Sequence, residues 1–174
     1  MSSINYDLTK IRAIAFDVDG VLSPSTIPMS AEGEPLRMVN IKDGYAIQLA
    51  VKMGYQVAII SGAKTEAVKA RFCGLGVQDV YIGVAVKLPR LLSWMEKYDL
   101  KPEEVVFVGD DIPDMEAMRH VGLAVAPADA AAEVKMLAGY VSPVNGGYGC
   151  GRDVIEQIMK SQGKWLADEK AFGW

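Results

Sequence analysis

Near the N-terminus runs Ile11-Arg12-Ala13-Ile14-Ala15-Phe16-Asp17-Val18-Asp19-Gly20, an apolar segment that ends abruptly in charge. From Ile11 to Phe16 every residue except Arg12 is apolar, the pattern of a strand covered on both faces. Asp17 closes the run, where a carboxylate without a partner is costly. In open α/β sheets, ligands bind beyond the carboxyl ends of the strands, so Asp17 stands where chemistry is expected.

Moving outward, Val57 to Ile60, Val80 to Ile82, Val105 to Val108 and Leu123 to Val125 repeat the apolar run, and Tyr140 to Val141 adds a short sixth strand. Between them lie amphipathic stretches. Tyr45 to Met53 is closed by Gly54, Thr65 to Phe72 precedes Gly74, and Leu88 to Tyr98 is apolar at Leu88, Leu91, Leu92 and Met95. Pro113 to His120, Ala130 to Leu137 and Asp153 to Lys160 complete the set. Strands alternating with helices predict an α/β protein with a three-layer, doubly wound parallel sheet. With no repeat and no linker, one domain is expected over residues 1–174.

Leu22 to Lys42 breaks the alternation and contains Pro24, Pro28, Gly33 and Pro35. It is far longer than the roughly 2–6 residues of a usual βα connection. Thr26 to Met29 and Leu36 to Asn40, flanking Ala31-Glu32-Gly33-Glu34, are expected to pair as a projecting hairpin.

Composition narrows the function. Hydrophobic residues make up 51% and charged residues 23%, which excludes a disordered chain. A net charge of -4 without a basic run argues against nucleic acid as a partner. No apolar stretch reaches the roughly 18 residues of a membrane span. Met1 to Lys10 is polar, so no membrane partner is expected and the location is cytoplasmic. Cys73 and Cys150 have neither metal nor redox spacing and read as reduced thiols. His120, the only histidine, falls late in a helix and reads as structural, which removes histidine-based mechanisms.

The fourth strand ends in Gly109-Asp110-Asp111, followed by Asp114. Helix capping explains Asp111 or Asp114 singly, but not Asp17 at a second strand end. Acids converging from two strands repel one another unless a cation joins them, and carboxylate oxygens suit a hard ion such as Mg²⁺. Ser61-Gly62 offers a hydroxyl and backbone amides at a helix start, a natural anion site. Lys87 also opens a helix, against the dipole, which makes sense if it faces a phosphate or the strand-end acid.

Asp17 to Leu22, Ile59 to Gly62, Lys87, and Gly109 to Asp114 resemble, in order, the four motifs of the haloacid dehalogenase superfamily. The likeness covers nearly the whole chain and implies a Rossmann-like fold without a cap domain. It also implies roles. Asp17 attacks phosphorus, Asp19 acts as general acid and then base, and Ser61 and Lys87 hold the phosphoryl oxygens. Mg²⁺ falls to Asp17, the Asp19 carbonyl and Asp110, with Asp111 and Asp114 in support.

Asn40 to Gly44, Arg71, Gly76 and the Gly146 to Val154 run further resemble the phosphatases of 3-deoxy-D-manno-octulosonate 8-phosphate. That likeness implies a phosphorylated sugar acid as substrate. It also implies a homotetramer in which a neighbouring subunit and the glycine-rich segment help close the site. Gly62, Lys64, Asn40, Asp43, Arg71 and Arg152 are the residues expected to contact substrate. Three departures stand out: Ser23-Pro24-Ser25 replaces the usual Thr-Asp-Gly, Ala63 replaces an arginine, and Gly83 replaces a glutamine. They keep open a nine-carbon sugar-acid phosphate or another small phosphosugar. A phospho-acceptor receiver domain also clusters aspartates with a lysine, but it orders them differently along the chain. The tail from Gly163 to Trp174, with Trp165, Phe172 and Trp174, is expected to dock on a neighbouring subunit.

Overall fold

A computed structural model of the chain describes residues 4–173. Six strands form one sheet: β1 (Ala13–Phe16), β2 (Gln56–Ile60), β3 (Asp79–Tyr81), β4 (Val105–Val108), β5 (Leu123–Ala126) and β6 (Tyr140–Val141). Their order is β3-β2-β1-β4-β5-β6, with every pairing parallel. The helices are α1 (Ile41–Lys52), α2 (Glu66–Cys73), α3 (Lys87–Lys97), α4 (Met115–Met118), α5 (Ala132–Leu137) and α6 (Cys150–Ser161). The doubly wound α/β architecture is as expected.

The strand side chains divide between two cores. Ile14, Phe16, Val57, Ile59, Val106 and Val108 face α1, α2 and α6, while Ala13, Ala15, Ala58, Ile60 and Phe107 face α3, α4 and α5. All four residues of β1 are fully buried, so the central strand reads as a continuous apolar run rather than an alternating one. Truncating a side chain such as Phe16 to Ala would cost about 3–5 kcal/mol. The order also has a switch point: the chain winds outward from β1 through β2 on one side and β4 on the other, opening a crevice above their carboxyl ends.

Three helices depart from expectation at their starts, α6 among them, which begins at Cys150 rather than Asp153. Helix α1 begins four residues earlier than Tyr45, because Asn40 caps it by accepting from the Lys42 and Asp43 amides. Helix α4 is a single turn preceded by a 3-10 turn over Ile112–Asp114, since Pro113 at a helix start favours the tighter geometry. Gly54, with φ +86°, follows the end of α1 in the left-handed conformation expected of it.

The hairpin is reduced to its turn. Met29 and Pro35 form one antiparallel bridge, with the Leu36 amide donating to Pro28 and Ser30 to Glu34. Pro28 and Pro35 lack the amides a longer ladder needs, so Leu36 to Asn40 runs back to α1 as irregular chain. This arm carries Met29, Leu36, Met38 and Val39, all exposed.

Within this chain, part of the tail packs on α1. Trp165 meets Tyr45 edge-on at 6.3 Å, and the Tyr45 hydroxyl donates to the Ala171 carbonyl. Phe172 stays exposed, and Trp174 lies outside the described residues. Among the described residues, no helix is long and apolar enough to cross a membrane.

Candidate active site

The site follows from strand register. Phe16 pairs with Val108, so the next residues on both strands emerge together at the carboxyl edge. The Asp17 amide donates to the Val108 carbonyl at 3.0 Å, continuing the ladder one step past the last side chains of the core. Asp17, Asp110 and Asp114 then bring carboxylate oxygens within 4.8 Å of one another. Gly20, at φ +83°, turns the chain here, and a Cβ on it would collide with the Asp110 carboxylate.

Lys87 enters from the start of α3. Its Nζ lies 2.8 Å from Asp17 Oδ2 and 2.5 Å from Asp114 Oδ1. Burial works against the charge on Lys87, but the two carboxylates outweigh it and hold its pKa above the ordinary value. Asp114 also accepts from the Asp110 and Asp111 amides at 3.0 and 3.3 Å, which fixes the loop after β4.

One ammonium does not neutralise three acids. Burial first, and the Asp114 charge next, push the Asp17 pKa up to about 6 against the pull of Lys87. Asp110 is pushed further, to about 8, by burial and then by Asp17 and Asp114. Its Oδ1 is buried without a hydrogen-bond partner. An orphaned carboxylate oxygen in a crowded acidic trio is the donor set of a hard divalent cation, so these residues fit Mg²⁺.

Around the trio lies a cleft of about 690 Å³ lined by Asp19, Ser61, Gly62, Lys64 and Asp111 among others. Ser61 is buried at the end of β2, and its Oγ accepts from the Ala63 amide at 3.1 Å. Lys64 lies over Gly83 on the rim. Asp111 is exposed and stands outside the tight trio, so its expected part in metal binding is at most indirect.

Four expected substrate contacts do not line this cleft. Asn40 caps α1 and donates through Nδ2 to Gly147. Asp43, 2% exposed, accepts from the Arg152 amide at 2.7 Å and so caps α6, whose own N-cap, Gly149, has no side chain. Arg71 occupies the space that a Cβ on Gly44 would need. Arg152 pairs with Glu156 and lies over the Tyr45 and Trp165 rings. In their own chain all four serve packing and capping. The glycine run packs against the turn after β1: Gly146 lies on the Gly20 carbonyl, and the Gly147 amide donates to the Val21 carbonyl at 2.7 Å. It buttresses the turn that follows Asp17 and Asp19.

The sequence reading missed Arg37. From the arm it places Nε and Nη2 on the two oxygens of Asp19, at 2.7 and 2.8 Å, and Nη1 3.3 Å from Thr65 Oγ1. An arginine in an irregular segment has no periodicity to mark it, and only the course of the arm brings it here. His120, expected to be structural, stays at the end of α4 with Nδ1 2.8 Å from the Glu116 carbonyl, away from the cleft.

A family model for haloacid dehalogenase-like hydrolases matches residues 44–122. The chain belongs to the haloacid dehalogenase-like hydrolases. Within them, it is 42% identical over 154 residues to the 3-deoxy-D-manno-octulosonate 8-phosphate phosphatase KdsC of Escherichia coli K12, covering 88% of this chain and 82% of that one. The corresponding protein of Yersinia pestis is 37% identical over the same shares, and its crystal structure superposes with a TM-score of 0.87, covering 91% of this chain and 85% of that one. The Moraxella catarrhalis phosphatase, solved with magnesium, phosphate and the free sugar acid, superposes with a TM-score of 0.89 at 29% identity, over 96% of both chains.

Proposed function

We propose that this protein is a Mg²⁺-dependent phosphomonoesterase that hydrolyses 3-deoxy-D-manno-octulosonate 8-phosphate to the free sugar acid and inorganic phosphate, a step of lipopolysaccharide synthesis. The observation that carries the proposal is Asp17, buried at the end of β1, ion-paired to Lys87 and crowded by Asp110. An Asp17 oxygen attacks phosphorus, forming an aspartyl phosphate as the bond to the sugar oxygen breaks. Asp19 donates a proton to that leaving oxygen. It then takes one from water, whose oxygen attacks phosphorus and returns Asp17 and phosphate.

Ser61, the Gly62 amide and Lys87 hold the phosphoryl oxygens, with Lys64 at the rim for the sugar. Asp17 and Asp110, with the Asp19 carbonyl, would hold Mg²⁺, which when bound offsets the negative charge gathering at phosphorus. Asp114 acts by orienting Lys87 and the Asp110 loop. We assign the work to one cytoplasmic domain that assembles as a homotetramer, which the exposed apolar side chains of the arm support. Arg71 and Arg152 would reach substrate only across such an assembly.

Purified protein should release phosphate from the eight-carbon substrate only when Mg²⁺ is present. No release under those conditions would overturn the proposal. Ala63 and Ser23-Pro24-Ser25 favour a second reading, a nine-carbon sugar-acid phosphate. A tenfold difference in kcat/KM, about 1.4 kcal/mol, decides between them.

A further inference from the structure

Three basic side chains line the cleft: Arg37, Lys64 and Lys87. Lys87 is taken up by Asp17 and Asp114. Lys64 lies on the open rim. Arg37 is different, because its side chain is only 12% exposed and its fork already grips a carboxylate, that of Asp19. A guanidinium matches a carboxylate through two parallel hydrogen bonds, a fit that a lysine cannot reproduce.

This grip has two consequences. To act on the leaving oxygen Asp19 must turn one carboxylate oxygen towards it, yet both are engaged by the Arg37 fork. The fork must therefore loosen during the acid step. The second consequence concerns the arm. Among the described residues, the segment 24–39 hydrogen-bonds to the rest of the chain only through the Arg37 side chain, to Asp19 and Thr65. One side chain thus supplies the hydrogen bonds that join the arm to the carboxylate beneath it.

We propose that Arg37 is a specificity-determining residue that exchanges partners, releasing Asp19 when the carboxylate of a sugar-acid phosphate enters the cleft and offers the same fork-shaped acceptor. The inference rests on the function proposed above and deepens it. A phosphosugar without a carboxylate leaves Arg37 on Asp19 and meets an enzyme whose acid is restrained. Selectivity for sugar acids then comes from freeing the acid as well as from binding.

The test compares two substrates on one enzyme, the sugar-acid 8-phosphate and glucose 6-phosphate, and reads the ratio of their kcat/KM values. In wild type the ratio favours the sugar acid. In Arg37→Gln it should fall at least tenfold, through a higher KM for the sugar acid and a higher kcat for glucose 6-phosphate, which no longer meets a restrained Asp19. Arg37→Lys keeps the charge without the fork and should recover part of the ratio. Both substrates meet the same folded fraction, so partial misfolding cancels. A ratio that changes less than tenfold in Arg37→Gln overturns the inference, as does a lysine that recovers none of it. A wild type inert towards the sugar-acid phosphate would instead refute the proposed function itself.

Discussion

Lys87 Nζ lies 2.8 Å from Asp17 and 2.5 Å from Asp114, so one buried ammonium bridges the strand-end acid of β1 and the turn after β4. Removing one partner of a buried ion pair costs about 3–5 kcal/mol, because the charge left behind has no compensation. Lys87→Met should destabilise the fold by about that amount and lower kcat by about 10²–10³, the usual loss of a charge-stabilising donor. Denaturant unfolding together with kinetics reads both. Full stability in the variant would show that Lys87 is not the counter-charge of the site.

Asp17→Asn keeps the shape of the side chain and removes the charge of the proposed nucleophile. Turnover should drop at least a thousandfold, about 4 kcal/mol of barrier, with the fold retained. Steady-state phosphate release measures it. Appreciable turnover by the variant would move the nucleophile elsewhere.

The acidic trio predicts stabilisation by Mg²⁺. At a hundredfold excess over its dissociation constant, a bound ion adds about 2.7 kcal/mol, which in a chain of this size raises Tm by roughly 5–10 °C. Asp110→Asn should abolish most of that rise, since it removes the orphaned oxygen from the set. Thermal melts across a Mg²⁺ titration decide it, and a flat Tm in wild type would be incompatible with the assigned metal site.

Asp43 predicts a pH dependence away from the chemistry. Burial lifts its pKa to about 6, only partly countered by the Arg152 amide and charge. An unfolded aspartate titrates near 4. The folded state therefore holds the proton more tightly, and the Asp43 contribution is most favourable below about 4 and erodes as pH rises through about 6. Between pH 4.5 and 7.5, wild type should lose about 2 kcal/mol of stability relative to Asp43→Asn. Urea unfolding of both proteins at the two pH values measures the difference. Parallel behaviour would mean that Asp43 does not titrate in this range.

The strands, their parallel pairing and the acids at their ends were legible in the sequence because burial on both faces demands apolar runs, and a charge that ends such a run stands out. Lys87 was legible for the converse reason, a cation set against a helix dipole. Family-like spacing points Asn40, Asp43, Arg71 and Arg152 to substrate, but the same spacing marks them equally well for capping and packing, and spacing alone does not separate the two. Arg37 was invisible because the arm has neither period nor ladder. Its partner is decided by where an irregular chain comes to rest.

The pairing of Phe16 with Val108 carries an implication for how this chain tolerates change. Side chains alternate between faces along a strand, so a one-residue insertion in β1 or β4 would turn Asp17 or Asp110 to the opposite side of the sheet. Exchanging one aliphatic residue for another in these strands is mild by comparison. The two central strands therefore tolerate volume-conserving exchanges far better than any change of length, and length variation in this lineage should accumulate in the arm and the tail.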